Sequence, residues 1–171
     1  MTSDMTIEYH SISIERRSIK GLERGSAMTA RDNGASFRRL IEAFSTGDLE
    51  VVDELVSPDC VEHQRGNRPG AEGAKEVIRT LHRWMSGFSL TIEDLVADGD
   101  KVWTRNRARG VNTGSVMGNP PTGRTVEVDV IDIGRFEDGK VVEHWGIADQ
   151  LGLMLQLGLV PGPRRDTTPV G

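Results

Sequence analysis

A carboxylate set among apolar neighbours is a simple source of acid–base chemistry, and two aspartates fit that description. Asp149 is flanked by Ile147, Ala148, Leu151 and Leu153. Asp132 interrupts an otherwise apolar alternate set, Val126, Val128, Val130, Gly134 and Phe136. Loss of water raises a carboxyl pKa toward the range useful for moving a proton beside a carbonyl. Asp149 is the first candidate for a general acid/base. Its competing role is the N-cap of a helix opened by Gln150-Leu151-Gly152-Leu153, because Asp is a favoured cap. Asp132 either polarises a substrate or satisfies a buried backbone or arginine group. His63, two residues after Val61, is placed to hydrogen-bond a substrate oxygen or to orient Asp149, against a plain role as an exposed strand end. Asn106 is a hydrogen-bond donor for a substrate oxygen. Trp145 offers a wall on which a flat polycyclic ligand packs.

Other chemistry-bearing residues read as structural. His144 has the opposite strand parity to Trp145 and Asp149, which points to a dimer face or sheet pairing. His82 is a helix histidine. Cys60 and His63 are three apart on a strand, so their side chains face opposite ways and form no nucleophile pair. The loop Asn119-Pro120-Pro121 lacks the glycine spacing and lysine of a phosphate-binding loop. No HExxH or other dense ligand cluster occurs, so no metal is expected.

The elements that must hold these residues follow from periodicity. Phe37, Leu40, Ile41 and Phe44 make one helical stripe, ended by Gly47. Asp48 caps a second helix carrying Val51, Val52, Leu55 and Val56. Pro58 stops it, and Cys60-Val61-Glu62-His63 is a short strand. A third helix carries Ala74, Val77, Ile78 and Leu81. The period then changes to two. Strands are predicted from Phe88, over 101–112, over 125–136 and over 141–147, with turns at Asp98-Gly99-Asp100 and Glu137-Asp138-Gly139. A last short helix spans 149–157. Segregated helices and strands imply an α+β fold rather than a parallel α/β sheet.

Alternation also sorts the strand faces. Arg105, Arg107 and Arg109 do not belong inside a small sheet, so Val102, Thr104, Asn106 and Ala108 are expected inside. The even residues of the next strand join them, while Glu127 and Asp129 can pair with the arginines. On the last strand Glu143, Trp145, Ile147 and Asp149 share one parity as long as no bulge interrupts it.

The chain has 171 residues, 36% hydrophobic and 27% charged, which fits one globular domain. Its net charge of −5 disfavours general nucleic-acid or anionic-membrane binding. No apolar run approaches the ~20 residues of a membrane helix. A single cysteine excludes an internal disulfide, and a reduced cytoplasmic location is expected. Residues 1–30 balance four acidic against four basic residues, lack a signal-peptide core and read as a disordered extension. Met28 is then an alternative translation start to Met1. Residues 31–160 form the domain, and 161–171 a flexible tail.

Two segments carry a family resemblance. One is Gly118-Asn119-Pro120-Pro121-Thr122-Gly123-Arg124. The other is Phe136-Glu137-Asp138-Gly139-Lys140-Val141-Val142-Glu143-His144-Trp145, followed by Asp149 and Leu151-Gly152-Leu153. With Gly47-Asp48-Leu49-Glu50 and the strand ending in His63, they resemble the SnoaL-like polyketide cyclases, or ester cyclases, over roughly residues 35–160. The resemblance implies a nuclear-transport-factor-like fold: a cone-shaped α+β barrel in which a strongly curved antiparallel sheet packs on three or four helices. It also implies an intramolecular aldol ring closure driven by a pocket aspartate, matched by position to Asp149, without metal or organic cofactor.

The expected function is therefore a cofactor-independent cyclase or isomerase acting on a hydrophobic, carbonyl-containing small molecule. Asp149 and His63 are the expected catalytic residues, with Asn106, Asp132 and Trp145 binding substrate. Two alternatives stand beside it: a non-catalytic ligand-binding or regulatory domain of the same fold, and an epoxide hydrolase or dehydratase variant. A homodimer is expected through the outer sheet face, where Trp103, Ile131 and Ile133 lie beside the arginines.

Overall fold

The computed structural model describes residues 23–162. The segments 1–22 and 163–171, which hold most of the expected extension and tail, lie outside the described residues. The first helix, α1 (Glu23–Thr46), begins inside the stretch set apart from the domain by composition. Its Phe37, Leu40 and Ile41 are buried. Gly47 ends it at φ 78°, a left-handed conformation that costs glycine little. Asp48 then caps α2 (Leu49–Leu55), accepting from the backbone N–H groups of Glu50 and Val51.

The chain continues directly into β1 (Val56–Glu62), so the strand begins before Pro58 rather than after it. Next come α3 (Gly70–Trp84), β2 (Met85–Asp98), β3 (Lys101–Asn112), β4 (Thr125–Glu137), β5 (Lys140–Ala148) and α4 (Gln150–Leu157). The five strands form one curved sheet in the order β1-β5-β4-β3-β2. β2 to β5 are a run of antiparallel neighbours, as expected for this α+β class. The β1 edge departs from the wholly antiparallel expectation and runs parallel to β5. No hairpin joins these two strands, so the long path through α3 and the meander sets the direction of β1. No described helix is long and apolar enough to cross a membrane.

Register decides which side chains face the helices. Val102, Thr104, Asn106 and Ala108 are all buried, so the even residues of β3 face inward as the arginines required. On the outer face Arg105 pairs with Asp94, Arg107 with Glu127 and Asp129, and Arg109 with Glu127. The β4–β5 hairpin turns at Asp138 (φ 48°) and Gly139 (φ 79°), two left-handed residues as a tight type I′-like turn demands. Glu137 pairs with Lys140 and Phe136 with Val141, but Arg135 then pairs with Glu143. Val142 is the extra residue of a β-bulge. From there to the end of β5 the even residues face inward, the reverse of the parity expected from simple alternation.

Gly134 lies opposite His144 on the inner face, and the ring of Phe37 covers it. A Cβ at this position would come within 2.7 Å of Phe37 Cε2 and 3.2 Å of Cδ2. Phe37 is only 1% exposed and has nowhere to retreat. Gly134→Ala is therefore expected to lower stability by about 1–3 kcal/mol, the usual cost of overpacking. A urea-unfolding midpoint unchanged from wild type would show that Phe37 does have room.

Candidate active site

Two neighbouring cross-strand rows on the inner face carry a connected set of polar groups. Thr104, Asp132 and Gly146 form one row, and Val102, Gly134, His144 and Glu62 the next. Glu62 sits beside His144 across the parallel β1–β5 edge, and Asp132 is diagonal to His144 across β4–β5. Strand spacing alone brings such diagonal side chains within reach of a long or aromatic group.

The bonds are direct. His144 Nε2 lies 3.2 Å from Asp132 Oδ1, and His144 Nδ1 lies 3.0 Å from both oxygens of Glu62. Asn106 Nδ2 donates to Asp132 Oδ2 at 2.7 Å and to Thr104 Oγ1 at 2.9 Å. Thr104 Oγ1 in turn donates to the Asp132 carbonyl at 3.3 Å. Asn106 is fully buried, and its Oδ1 has no partner among the described residues. The side chains of Asp132 and Glu62 are 10% and 12% exposed, against 22% for His144, so the imidazole is the most accessible of the three.

Burial works against a charge on His144. The hydrogen bonds and negative charges of Asp132 and Glu62 outweigh it and push the imidazole up to about 9. At neutral pH the site is an imidazolium clamped between two carboxylates. Such a trio has a carboxylate to accept a proton and a cation to hold or protonate a developing oxyanion. It is also fragile, because removing one member leaves a buried charge unpaired, at a cost of about 3–5 kcal/mol.

Of the residues singled out in the sequence, the structure brings Asn106 and Asp132 into this cluster. His63 and Trp145 lie together on the opposite face. Their rings stack at 4.7 Å and 6° between planes, with Lys101 Nζ 5.6 Å from the centre of the indole. His63 Nε2 is 2.8 Å from Glu143 Oε1, and Glu143 also accepts from Arg135 Nε at 2.8 Å. Asp149 is exposed and caps α4, its Oδ1 accepting from Gly152 N at 2.8 Å. The geometry thus gives Asp149 its capping role and does not place it with Asp132 and His144.

Simple alternation left out Glu62 and His144. The bulge at Val142 is the reason for His144, and the signal was the adjacent apolar pair Val141-Val142, which breaks the period of two. The Cys60 thiol is buried, and desolvation pushes it up to about 11, which leaves it unreactive at neutral pH. Among the described residues no group of three His, Cys, Asp or Glu side chains is arranged to hold a metal ion.

The family model described as SnoaL-like polyketide cyclase matches residues 35–157, which include every member of the cluster. Aklanonic acid methyl ester cyclase DnrD of Streptomyces peucetius is 29% identical over 128 residues, covering 71% of this chain and 87% of the relative. Among solved structures, TsrD of Streptomyces laurentii is 32% identical with a TM-score of 0.66, covering 80% of this chain and 98% of the other. IdmH of Streptomyces antibioticus is 38% identical with a TM-score of 0.65, covering 74% and 98%.

The charged trio makes a pH prediction. The folded pKa of His144, about 9, lies above the ordinary 6.5, so the trio's contribution to stability is complete below about 6.5 and is lost as pH rises through 9. The Cε1–H resonance of His144 should titrate with a midpoint near 9, and Asp132→Asn should move that midpoint down. A wild-type midpoint at or below 6.5 would contradict the clamped imidazolium.

Proposed function

Because this chain belongs to the SnoaL-like polyketide cyclase family, we propose that it closes a ring in a hydrophobic, carbonyl-rich small molecule by intramolecular aldol addition. Asp132 and His144 are the acid–base couple of this reading. The observation that carries it is the 3.2 Å contact between His144 Nε2 and Asp132 Oδ1 on the inner face, inside the matched segment.

The steps follow from the charges. The Asp132 carboxylate takes a proton from a carbon next to a substrate carbonyl, and that carbonyl delocalises the charge as an enolate. The enolate carbon attacks a second carbonyl, forming the new C–C bond and an alkoxide. His144 donates its proton to the alkoxide, and the proton held by Asp132 passes to His144 to restore the starting state. Atoms and electrons balance within the substrate, so the closure is an isomerisation and needs no redox partner. Asn106 holds Asp132 in place, and Glu62 orients the imidazole and keeps it charged.

A binding-only reading draws support from one feature: both ring nitrogens of His144 and both carboxylate oxygens of Asp132 already have partners. The hydrolase or dehydratase reading has less, since Arg105, Arg107 and Arg109 are engaged in ion pairs on the outer face.

Aklanonic acid methyl ester, named in the DnrD relative, is the first substrate to try. Incubation with the protein should yield a product of unchanged mass and altered chromatographic retention. Asp132→Asn should slow its formation by roughly 10²–10⁴-fold, the usual worth of a positioned acid/base. Asp149→Asn should leave turnover close to wild type, since Asn is also a good cap. Full activity in Asp132→Asn with loss in Asp149→Asn would reverse these roles, and tight binding without conversion would favour the binding-only reading.

The outer face is proposed to meet a second copy of the chain. Trp103, Ile131 and Ile147 are exposed there, beside the stacked Trp145 and His63. Light scattering should report a dimer at micromolar concentration, and Ile131→Lys should shift it toward the monomer.

A further inference from the structure

Gly146 is buried in the middle of the inner face, directly opposite Asp132. A glycine inside a strand weakens it and marks a place where another group approaches closely. Here that group is Gln64. A Cβ at Gly146 would sit 3.0 Å from Gln64 Cδ, nearer still to Gln64 Oε1, and 3.0 Å from His144 Cε1. The Gln64 carboxamide therefore lies over Gly146, in the space a side chain would fill, next to the imidazole.

The backbone holds it there. Gln64 N donates to Glu62 Oε1 at 2.7 Å, the same carboxylate that binds His144 Nδ1. The preceding His63 N donates to the His144 carbonyl at 2.9 Å, and Asn67 N donates to the Gln64 carbonyl at 3.2 Å. Position 64 is thus coupled to the imidazole through Glu62 and through β5. Yet the half-buried carboxamide has no hydrogen-bond partner among the described residues. Its oxygen and nitrogen are reached by water, so they are free to exchange that water for a ligand's polar groups.

We propose that the Gln64 carboxamide is a substrate-binding group that hydrogen-bonds a carbonyl oxygen beside His144, and that position 146 is glycine to make room for it. The inference rests on the cyclase reading of the same site and names a feature of its substrate. A planar carboxamide presents an N–H donor and a C=O acceptor side by side. It matches a pair of adjacent oxygens in which one is a carbonyl and the other a hydroxyl, as in an enolised 1,3-dicarbonyl. Holding that pair sets which carbon faces Asp132 and which oxygen faces His144.

The test uses aklanonic acid methyl ester with the full chain and three variants: Gln64→Ala, Gln64→Leu and Gly146→Ala. Each should lose roughly tenfold in kcat/KM, the worth of about one hydrogen bond, with most of the loss in KM. Gly146→Ala combined with Gln64→Ala should lose less than the product of the two single losses, because the carboxamide is then no longer there to be displaced and only the 3.0 Å approach to His144 Cε1 remains. In the two Gln64 variants the alkaline limb of the pH–rate profile, set by His144, should not move, a pattern that general loosening of the fold would not produce. If Gly146→Ala does not fold, the two Gln64 variants decide. Wild-type kcat/KM in both Gln64 variants overturns the inference while leaving the cyclase reading intact. A wild-type protein that neither binds nor converts the ester removes the cyclase reading, and this one with it.

Discussion

One imidazolium between two carboxylates constrains much of this structure. His144 belongs to β5, Asp132 to β4 and Glu62 to β1, so the trio links three adjacent strands through side chains. A charge this far from water is tolerated only when its partners are in place. Meeting that demand depends on the register of β4 on β5 and of β1 on β5, since a slip of one residue in either pairing would part the ring from its partners. Asn106 and Thr104 extend the requirement to β3 by holding the far oxygen and the backbone carbonyl of Asp132.

The geometry depends on one extra residue. The tight turn at Asp138-Gly139 starts the hairpin in a register that would put His144 on the outer face. The bulge at Val142 corrects it, and Arg135, Glu143, His63 and Trp145 are sent outward by the same displacement. The sheet then divides its chemistry by face. Paired charges and apolar rings lie outside, where Arg107 and Arg109 share Glu127. The charged trio lies inside, where Phe37 and the other core side chains limit water.

Much of this was legible in residue order. The α1 stripe of Phe37, Leu40 and Ile41, the Asp48 cap and the inward parity of Asn106 and Asp132 follow from periodicity and from where arginines cannot go. Asp149 was legible as a cap, and despite its apolar neighbours in the chain its side chain is exposed at the start of α4. What alternation could not supply was the bulge, since a slip of one residue exchanges every side chain between faces. Nor could it supply Glu62, whose partner is 82 residues away across a parallel edge that no local turn encodes.

The central claim is that Asp132 and His144 work as one unit, and a double-substitution cycle on turnover tests it most directly. Groups that share one proton should fail together: Asp132→Asn, His144→Gln and the combined variant should all show about the same residual rate with aklanonic acid methyl ester. If instead the two single losses multiply in the combined variant, the residues act independently, and the shared-proton account of this site is wrong.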